Sequence, residues 1–352
     1  MNQTGRHSKI SRIKFFLFAC IPAVIGGVIV GGIWKWLDDS EARAKGLSGQ
    51  VWETTYIERG LAVPPGGPRV GFSGERAWPK VAHRELGWIE PPAQIPGVLE
   101  VNIDGLQRYQ PRMKPQFRLL IVGGSVAYAT FASKIESTYF YHLGQYLEQE
   151  KSPTDIAIFA TGAWKSSQDI KAFEIFVNRF GKPNLVVFIN GLNDLTNGAN
   201  ANVVHGMVTK TLDGSRWTAE YHEHDFDQRV AVYLEKMKKA ATFADGHEIK
   251  MFVVLQPALF LKTPRSKLEQ QLLEATPIWR DAGDVLARAY ATMRSGLRDL
   301  ADAEGFDMLD ATRPFQGESR TTFTDVWHFS DAGHQMFADV VSPAVYNVLN
   351  DD

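Results

Sequence analysis

From Arg118 onward, short runs of consecutive apolar residues alternate with stretches in which apolar positions recur every three or four residues. Arg118 to Val122 ends at Gly123-Gly124 and is followed by helical spacing through Tyr139, Leu143 and Leu147. The pattern repeats with Ile156 to Phe159 before Ser166 to Phe180, then Leu185 to Ile189, then Val230 to Phe243 before Met251 to Leu255. A helical stretch around Asp281 to Ala303, the run Phe306 to Leu309 and a closing helix near Ala332 to Leu349 complete the series. Apolar runs bounded by turn residues predict strands, and a period near 3.6 predicts helices. Strands alternating with helices imply parallel pairing through right-handed crossovers. Strands that are apolar throughout belong to a sheet covered on both faces.

The fold expected over 116–352 is therefore α/β, a three-layer flavodoxin-like sandwich around a central parallel sheet. The stretch 196–226, rich in Gly, Asn, His and Asp, shows no clear period and is expected to be a loop or lid near the strand ends.

Upstream the pattern differs. Phe15 to Trp34 is uncharged for 20 residues between Lys14 and Lys35, long enough to cross a bilayer core of roughly 30 Å as a helix. The division expected is a cytoplasmic tail over 1–14, a transmembrane anchor over 15–34, a linker and irregular N-terminal arm over 35–115, and the α/β domain over 116–352. Arg6, Lys9, Arg12 and Lys14 precede the run without an acid, which biases the N-terminus to the cytoplasm and the domain to the periplasmic or extracellular side. Ala42-Arg43-Ala44 fits a signal-peptidase site, but the apolar run exceeds the 7–15 residues usual for a cleaved signal. The arm is dense in proline, including Pro64-Pro65-Gly66-Gly67-Pro68 and Pro91-Pro92, which breaks regular periodicity.

Composition narrows the function. A formal charge of -2 without a basic block lacks the footprint of a nucleic-acid binder. One cysteine, Cys20, excludes an intramolecular disulfide framework and a zinc site built on several cysteines.

In an open parallel sheet the ligand site lies beyond the carboxyl ends of the strands. The first strand there delivers Gly123-Gly124-Ser125, expected to leave the Ser125 hydroxyl at the positive N-terminal end of the next helix. The second is followed by the Thr161-Gly162-Ala163-Trp164 turn and the third by Asn190-Gly191-Leu192-Asn193-Asp194, both able to present N–H groups toward Ser125. Near the C-terminus, Asp325 stands three residues before His328, close enough to orient its imidazole. His222 and His224, beside Glu223 and Asp225, read as a solvated polar run rather than a metal clip.

Gly123-Gly124-Ser125, the Gly162 turn, Gly191-Leu192-Asn193-Asp194 and Asp325-Val326-Trp327-His328 resemble, in order and spacing, the sequence blocks of the SGNH (GDSL) hydrolases. Val101 to Leu106, and Leu255-Gln256-Pro257 with Glu269, are similar to membrane-anchored bacterial members. The first of these segments is expected to be a turn tucking the arm against the sheet. The resemblance implies Ser125 as nucleophile, His328 as base and Asp325 as its orienting acid. It implies an oxyanion hole from the Ser125 N–H, the Gly162 turn and the Asn193 amide, with no metal or cofactor. The usual Gly-Asp-Ser is Gly-Gly-Ser here, and the second block is looser, so that Gly162, Ala163 or Trp164 could be the donor.

The chemistry expected is hydrolysis of short acyl esters, acetyl first, on a small molecule or an acylated polysaccharide. An O-acyltransferase and a lipid-ester hydrolase are the alternatives. The α/β-hydrolase elbow G-x-S-x-G fits less well, because Ala127 replaces its last glycine and Asp325 and His328 share one short segment.

Overall fold

The computed structural model describes residues 81–89, 93–95, 99–196, 223–275 and 277–351. The predicted anchor over 15–34, most of the arm and the core of the predicted lid lie outside these residues. Among the described residues no helix is long and apolar enough to cross a membrane.

Among the described residues six strands form the central sheet: β1 (Gln107–Tyr109), β2 (Phe117–Gly123), β3 (Thr154–Ala160), β4 (Leu185–Asn190), β5 (Lys250–Leu255) and β6 (Asp307–Asp310). Their order is β6-β5-β4-β2-β3-β1. The five from β2 to β6 are parallel, with Leu119 opposite Ile156 on one side and Leu185 on the other. Numbered within that parallel set, the order is that of a flavodoxin-like sheet, whose switch point lies between β2 and its neighbours.

The helices are α1 (Tyr139–Gln149), α2 (Ser166–Phe180), α3 (Leu192–Thr196), α4 (Glu223–Gly246), α5 (Lys267–Ala275), α6 (Pro277–Glu304) and α7 (Asp331–Asn350). α1 packs with α7, while α2, α4 and α6 pack in series, giving a helical layer on each face. Leu119, Leu120, Ile121 and Val122 are accordingly all buried, whichever face each side chain takes. At roughly 1.5–3 kcal/mol for each large apolar side chain buried, the continuous strands carry most of the favourable energy of the fold.

The sheet departs from all-parallel at β1, which pairs antiparallel with β3, Gln107 opposite Ile158 and Tyr109 opposite Ile156. Three residues with a polar Gln107 facing inward leave no periodic signal in the sequence. The turn before it is as expected for a tuck: Asn102 Oδ1 accepts from the Asp104 and Leu106 N–H groups at 3.0 and 2.9 Å, and Gly105 takes φ +80°. Two short antiparallel hairpins precede it, Val81–His83 with Gly87–Ile89 and Ala93–Ile95 with Leu99–Val101.

Beneath the strand ends lies a buried polar chain. Tyr233 donates to Asn190 Oδ1 at 2.9 Å, and Asn190 Nδ2 donates to Asp169 Oδ2 at 2.9 Å. Burial pushes the Asp169 carboxyl well above the ordinary range, and the neighbouring charge of Asp194 pushes the same way. A carboxyl whose folded pKa is raised stabilises fully below the unfolded value, and that stability is lost as pH rises through the folded one. Asp169→Asn, which cannot ionise, is expected to raise Tm relative to the parent at pH 8, the gain shrinking as pH falls toward about 4. Thermal melts of both chains across that range check it, and a gain independent of pH would contradict it.

Candidate active site

β2 ends at Gly123, where the backbone takes φ +154°. A Cβ there would lie 2.2 Å from the Ile189 carbonyl oxygen and 2.7 Å from Ala127 Cβ, so the close approach of β2 to β4 requires glycine. The chain then turns and presents Ser125 above the sheet. The expected helix does not begin here. Residues 124–134 form irregular turns, broken by left-handed Ala129 (φ 60°) and Phe131 (φ 69°), and α1 starts only at Tyr139. Positive φ in non-glycine residues costs about 1–3 kcal/mol each and persists where surroundings over-determine it.

Those surroundings are visible. Tyr139 donates to the Ala127 carbonyl at 2.7 Å and Gln107 Nε2 to the Tyr128 carbonyl at 3.1 Å. The buried carboxylate of Asp331, first residue of α7, accepts from the Ser133 N–H at 2.8 Å and from the Ser133 hydroxyl. The loop after Ser125 is thus tied to β1, α1 and α7 at once.

Asp325 and His328 sit at the tip of a tight loop over 322–330. Its base is closed by the Phe323 and Phe329 bridge, by Thr324 N–H to the His328 carbonyl at 2.9 Å and by Ser330 N–H to the Thr322 carbonyl at 2.9 Å. Asp325 Oδ1 accepts from the Trp327 and His328 N–H groups, each at 2.8 Å. Its Oδ2 lies 2.7 Å from His328 Nδ1. A carboxylate only accepts, so this contact favours the neutral tautomer with the proton on Nδ1 and the lone pair on Nε2. That nitrogen lies 2.8 Å from Ser125 Oγ. The Phe131 ring packs on the imidazole, centroids 5.1 Å apart.

Asn193, in α3, donates from Nδ2 to the Trp164 carbonyl at 2.8 Å, which spends one N–H of its amide and leaves the other. The amide lies against Gly124: a Cβ on Gly124 would come within 2.4 Å of Nδ2. Gly124 in place of an acid is therefore the residue that lets Asn193 approach the nucleophile turn. Asp194, buried beside it, accepts from the Ser166 N–H at 3.1 Å and its hydroxyl at 2.5 Å, joining the start of α2 to α3. The Gly162 turn is held to the same place by Thr161 N–H to the Gly123 carbonyl at 3.3 Å, with Ala163 at φ 69°.

The residues singled out from the sequence thus converge: Ser125, Asp325 and His328 in one hydrogen-bonded row, Asn193 and the Gly162 turn beside Gly123-Gly124. Asn190 does not join them, since its side chain points down to Asp169 and Tyr233. Gln256 is buried at the end of β5, its N–H given to the Asn190 carbonyl at 3.1 Å. His222 lies outside the described residues and His224 falls in the first turn of α4; among the described residues no cluster of His, Cys, Asp or Glu is placed to hold a metal ion. Sequence reasoning missed Phe131 and Asp331. Asp331 carries a faint signal, as an acid directly after Ser330, the N-cap of α7.

No curated protein matches this sequence significantly. Among solved structures, a catalytic mutant of an acetylxylan esterase from Geobacillus stearothermophilus is 11% identical, covering 68% of this chain and 97% of its own at a TM-score of 0.41. A GDSL-like lipase from Bacteroides thetaiotaomicron is 14% identical, covering 65% and 87% at a TM-score of 0.37. The family model for GDSL-like lipases and acylhydrolases matches residues 119–341, which takes in β2 from Leu119 onward, β3 to β6, and Ser125, Asn193, Asp325 and His328. The chain belongs to the GDSL-like lipase/acylhydrolase family and is a carboxylic ester hydrolase.

Proposed function

We propose that Ser125 is the nucleophile of a two-step acyl transfer, with His328 as its base and Asp325 as the acid that orients and stabilises the imidazolium. The observation that carries this reading is the row of contacts Ser125 Oγ to His328 Nε2 at 2.8 Å and His328 Nδ1 to Asp325 Oδ2 at 2.7 Å. As Ser125 Oγ bonds to the ester carbonyl carbon, its proton passes to Nε2, and the electron pair of the carbonyl moves onto oxygen. The Ser125 N–H, the Gly162 turn and the free N–H of Asn193 are the donors proposed for that oxyanion. Collapse expels the alcohol with the proton from Nε2. Water, deprotonated by the same nitrogen, then releases the acid and restores Ser125.

The substrate proposed is a short acyl ester, acetyl first, carried on carbohydrate. The Phe131 ring beside His328 supports a small acyl group, since it occupies space next to the reacting pair. The uncharged run 15–34 supports a tether that holds the domain on the periplasmic or extracellular side, where acylated polysaccharide would be within reach.

Three outcomes follow from this mechanism. In p-nitrophenyl acetate hydrolysis, Ser125→Ala and His328→Ala each lower kcat by about three orders of magnitude or more with an unchanged circular dichroism spectrum. Asn193→Ala lowers kcat by about a hundredfold with little change in KM; an unchanged kcat would remove Asn193 from the oxyanion hole. Gly124→Ala pushes aside a side-chain amide rather than backbone, so Tm should hold within about 3 °C while kcat falls toward the Asn193→Ala value. Comparing kcat/KM on acetylated xylo-oligosaccharide and on a lysophospholipid tests the substrate class, and preference for the lipid would overturn the carbohydrate assignment.

A further inference from the structure

The loop that carries Asp325 and His328 stands on a buried ion pair that the acyl-transfer chemistry does not use. Lys262 follows the short 3-10 turn Leu259–Leu261, and Glu269 lies in the first turn of α5; both side chains are wholly buried. Lys262 Nζ lies 2.8 and 2.6 Å from the two carboxylate oxygens. It also donates to the Arg320 carbonyl at 2.5 Å and to Thr322 Oγ1 at 3.1 Å. Glu269 Oε1 accepts from the Thr322 N–H at 2.9 Å and the Phe323 N–H at 3.2 Å, and Oε2 from the Ser266 N–H at 2.9 Å.

Ion pairs taken fully out of water recover their desolvation only with good geometry and every remaining lone pair used, and apolar residues of similar volume often serve stability as well. What an apolar pair cannot do is hold backbone groups. Here the pair grips, besides the Ser266 N–H, three of them in one short stretch, the Arg320 carbonyl and the Thr322 and Phe323 N–H groups. All lie where the chain enters the loop, whose two sides then zip together through Thr322, Thr324, His328 and Ser330. Displacement of that entry is passed directly to the imidazole, and a misplacement of about 1 Å between reacting groups is enough to cost roughly a hundredfold in rate.

We propose that Lys262 and Glu269 are positioning residues, setting the distance between His328 Nε2 and Ser125 Oγ by fixing the entry of the 322–330 loop. The inference rests on the reading of Ser125 and His328 as nucleophile and base.

The experiment measures, on the full chain, the second-order rate at which a fluorophosphonate probe labels Ser125, together with kcat and KM for p-nitrophenyl acetate. Glu269→Gln, Lys262→Met and the double replacement Lys262→Met with Glu269→Leu are compared with the parent. Leu147→Ala, a cavity in α1 remote from this pair, serves as a control for destabilisation alone. At a temperature where circular dichroism shows each chain folded, the positioning variants should label about ten- to a hundredfold more slowly and lose kcat rather than raise KM, while Leu147→Ala labels at the parental rate. Parental labelling rates in folded Glu269→Gln and in the double variant would overturn the proposal and leave the Ser125 reading intact. Failure of all three variants to fold would overturn it in favour of a purely structural pair. Absence of Ser125-dependent labelling in the parent would overturn both.

Discussion

The hydrogen bond between Ser125 and His328 joins positions 203 residues apart, and much of the described structure can be understood as the means of keeping that contact in register. A hydroxyl at the end of β2 and an imidazole just before α7 belong to elements with no covalent reason to meet. The parallel sheet brings them to the same edge, because every strand from β2 to β6 runs the same way and delivers its following loop to one end. Burial of the strand core supplies the energy, but apolar packing is not directional. Ångström placement of two polar groups needs directional contacts in addition.

Those contacts form three braces. Asp331 and Gln107 hold the irregular loop after Ser125. Asn193 and Asp194 lock the segments that follow β4 and β3 together through the Trp164 carbonyl and Ser166. Lys262 and Glu269 grip the entry to the loop carrying Asp325 and His328. Each brace is buried, Asn193 only in part, and built on a carboxylate or amide bonded to backbone; breaking one in the interior leaves an unsatisfied group at about 1–3 kcal/mol or more. The polar groups that look expensive for stability are thus the ones that confer geometry. Left-handed Ala129 and Phe131 fit the same pattern, as local strain supported by its surroundings.

Much of this was legible in the residues themselves. Strands such as Leu185 to Ile189 announce themselves because burial on both faces requires unbroken apolar runs, and helices such as α2 and α6 because one buried stripe repeats with the helical period. Ser125, Asn193, Asp325 and His328 were legible as candidates because acyl-transfer chemistry asks for those residue types at strand ends, and the structure brings Ser125, Asp325 and His328 within hydrogen-bond reach. The antiparallel edge strand β1 was not, since three residues with an inward glutamine give no period. Nor was the missing helix after Ser125, because Val126, Ala127 and Tyr128 favour no particular backbone, and what breaks the turn is tertiary anchoring of Ala129 and Phe131. The brace under the 322–330 loop was not legible for a related reason: Glu269 stood out only by resemblance, and Lys262 reads as a surface residue until Arg320 and Thr322, some 60 positions away, are brought beside it.

The account is tested most directly by trapping the covalent intermediate. The full chain mixed with p-nitrophenyl acetate, quenched in acid and digested, should yield one acetyl group on the peptide that carries Ser125. The same treatment of His328→Ala should leave that peptide unmodified. An acetyl group on another residue, or equal acetylation of Ser125 without the imidazole, would contradict the pairing on which everything else is built.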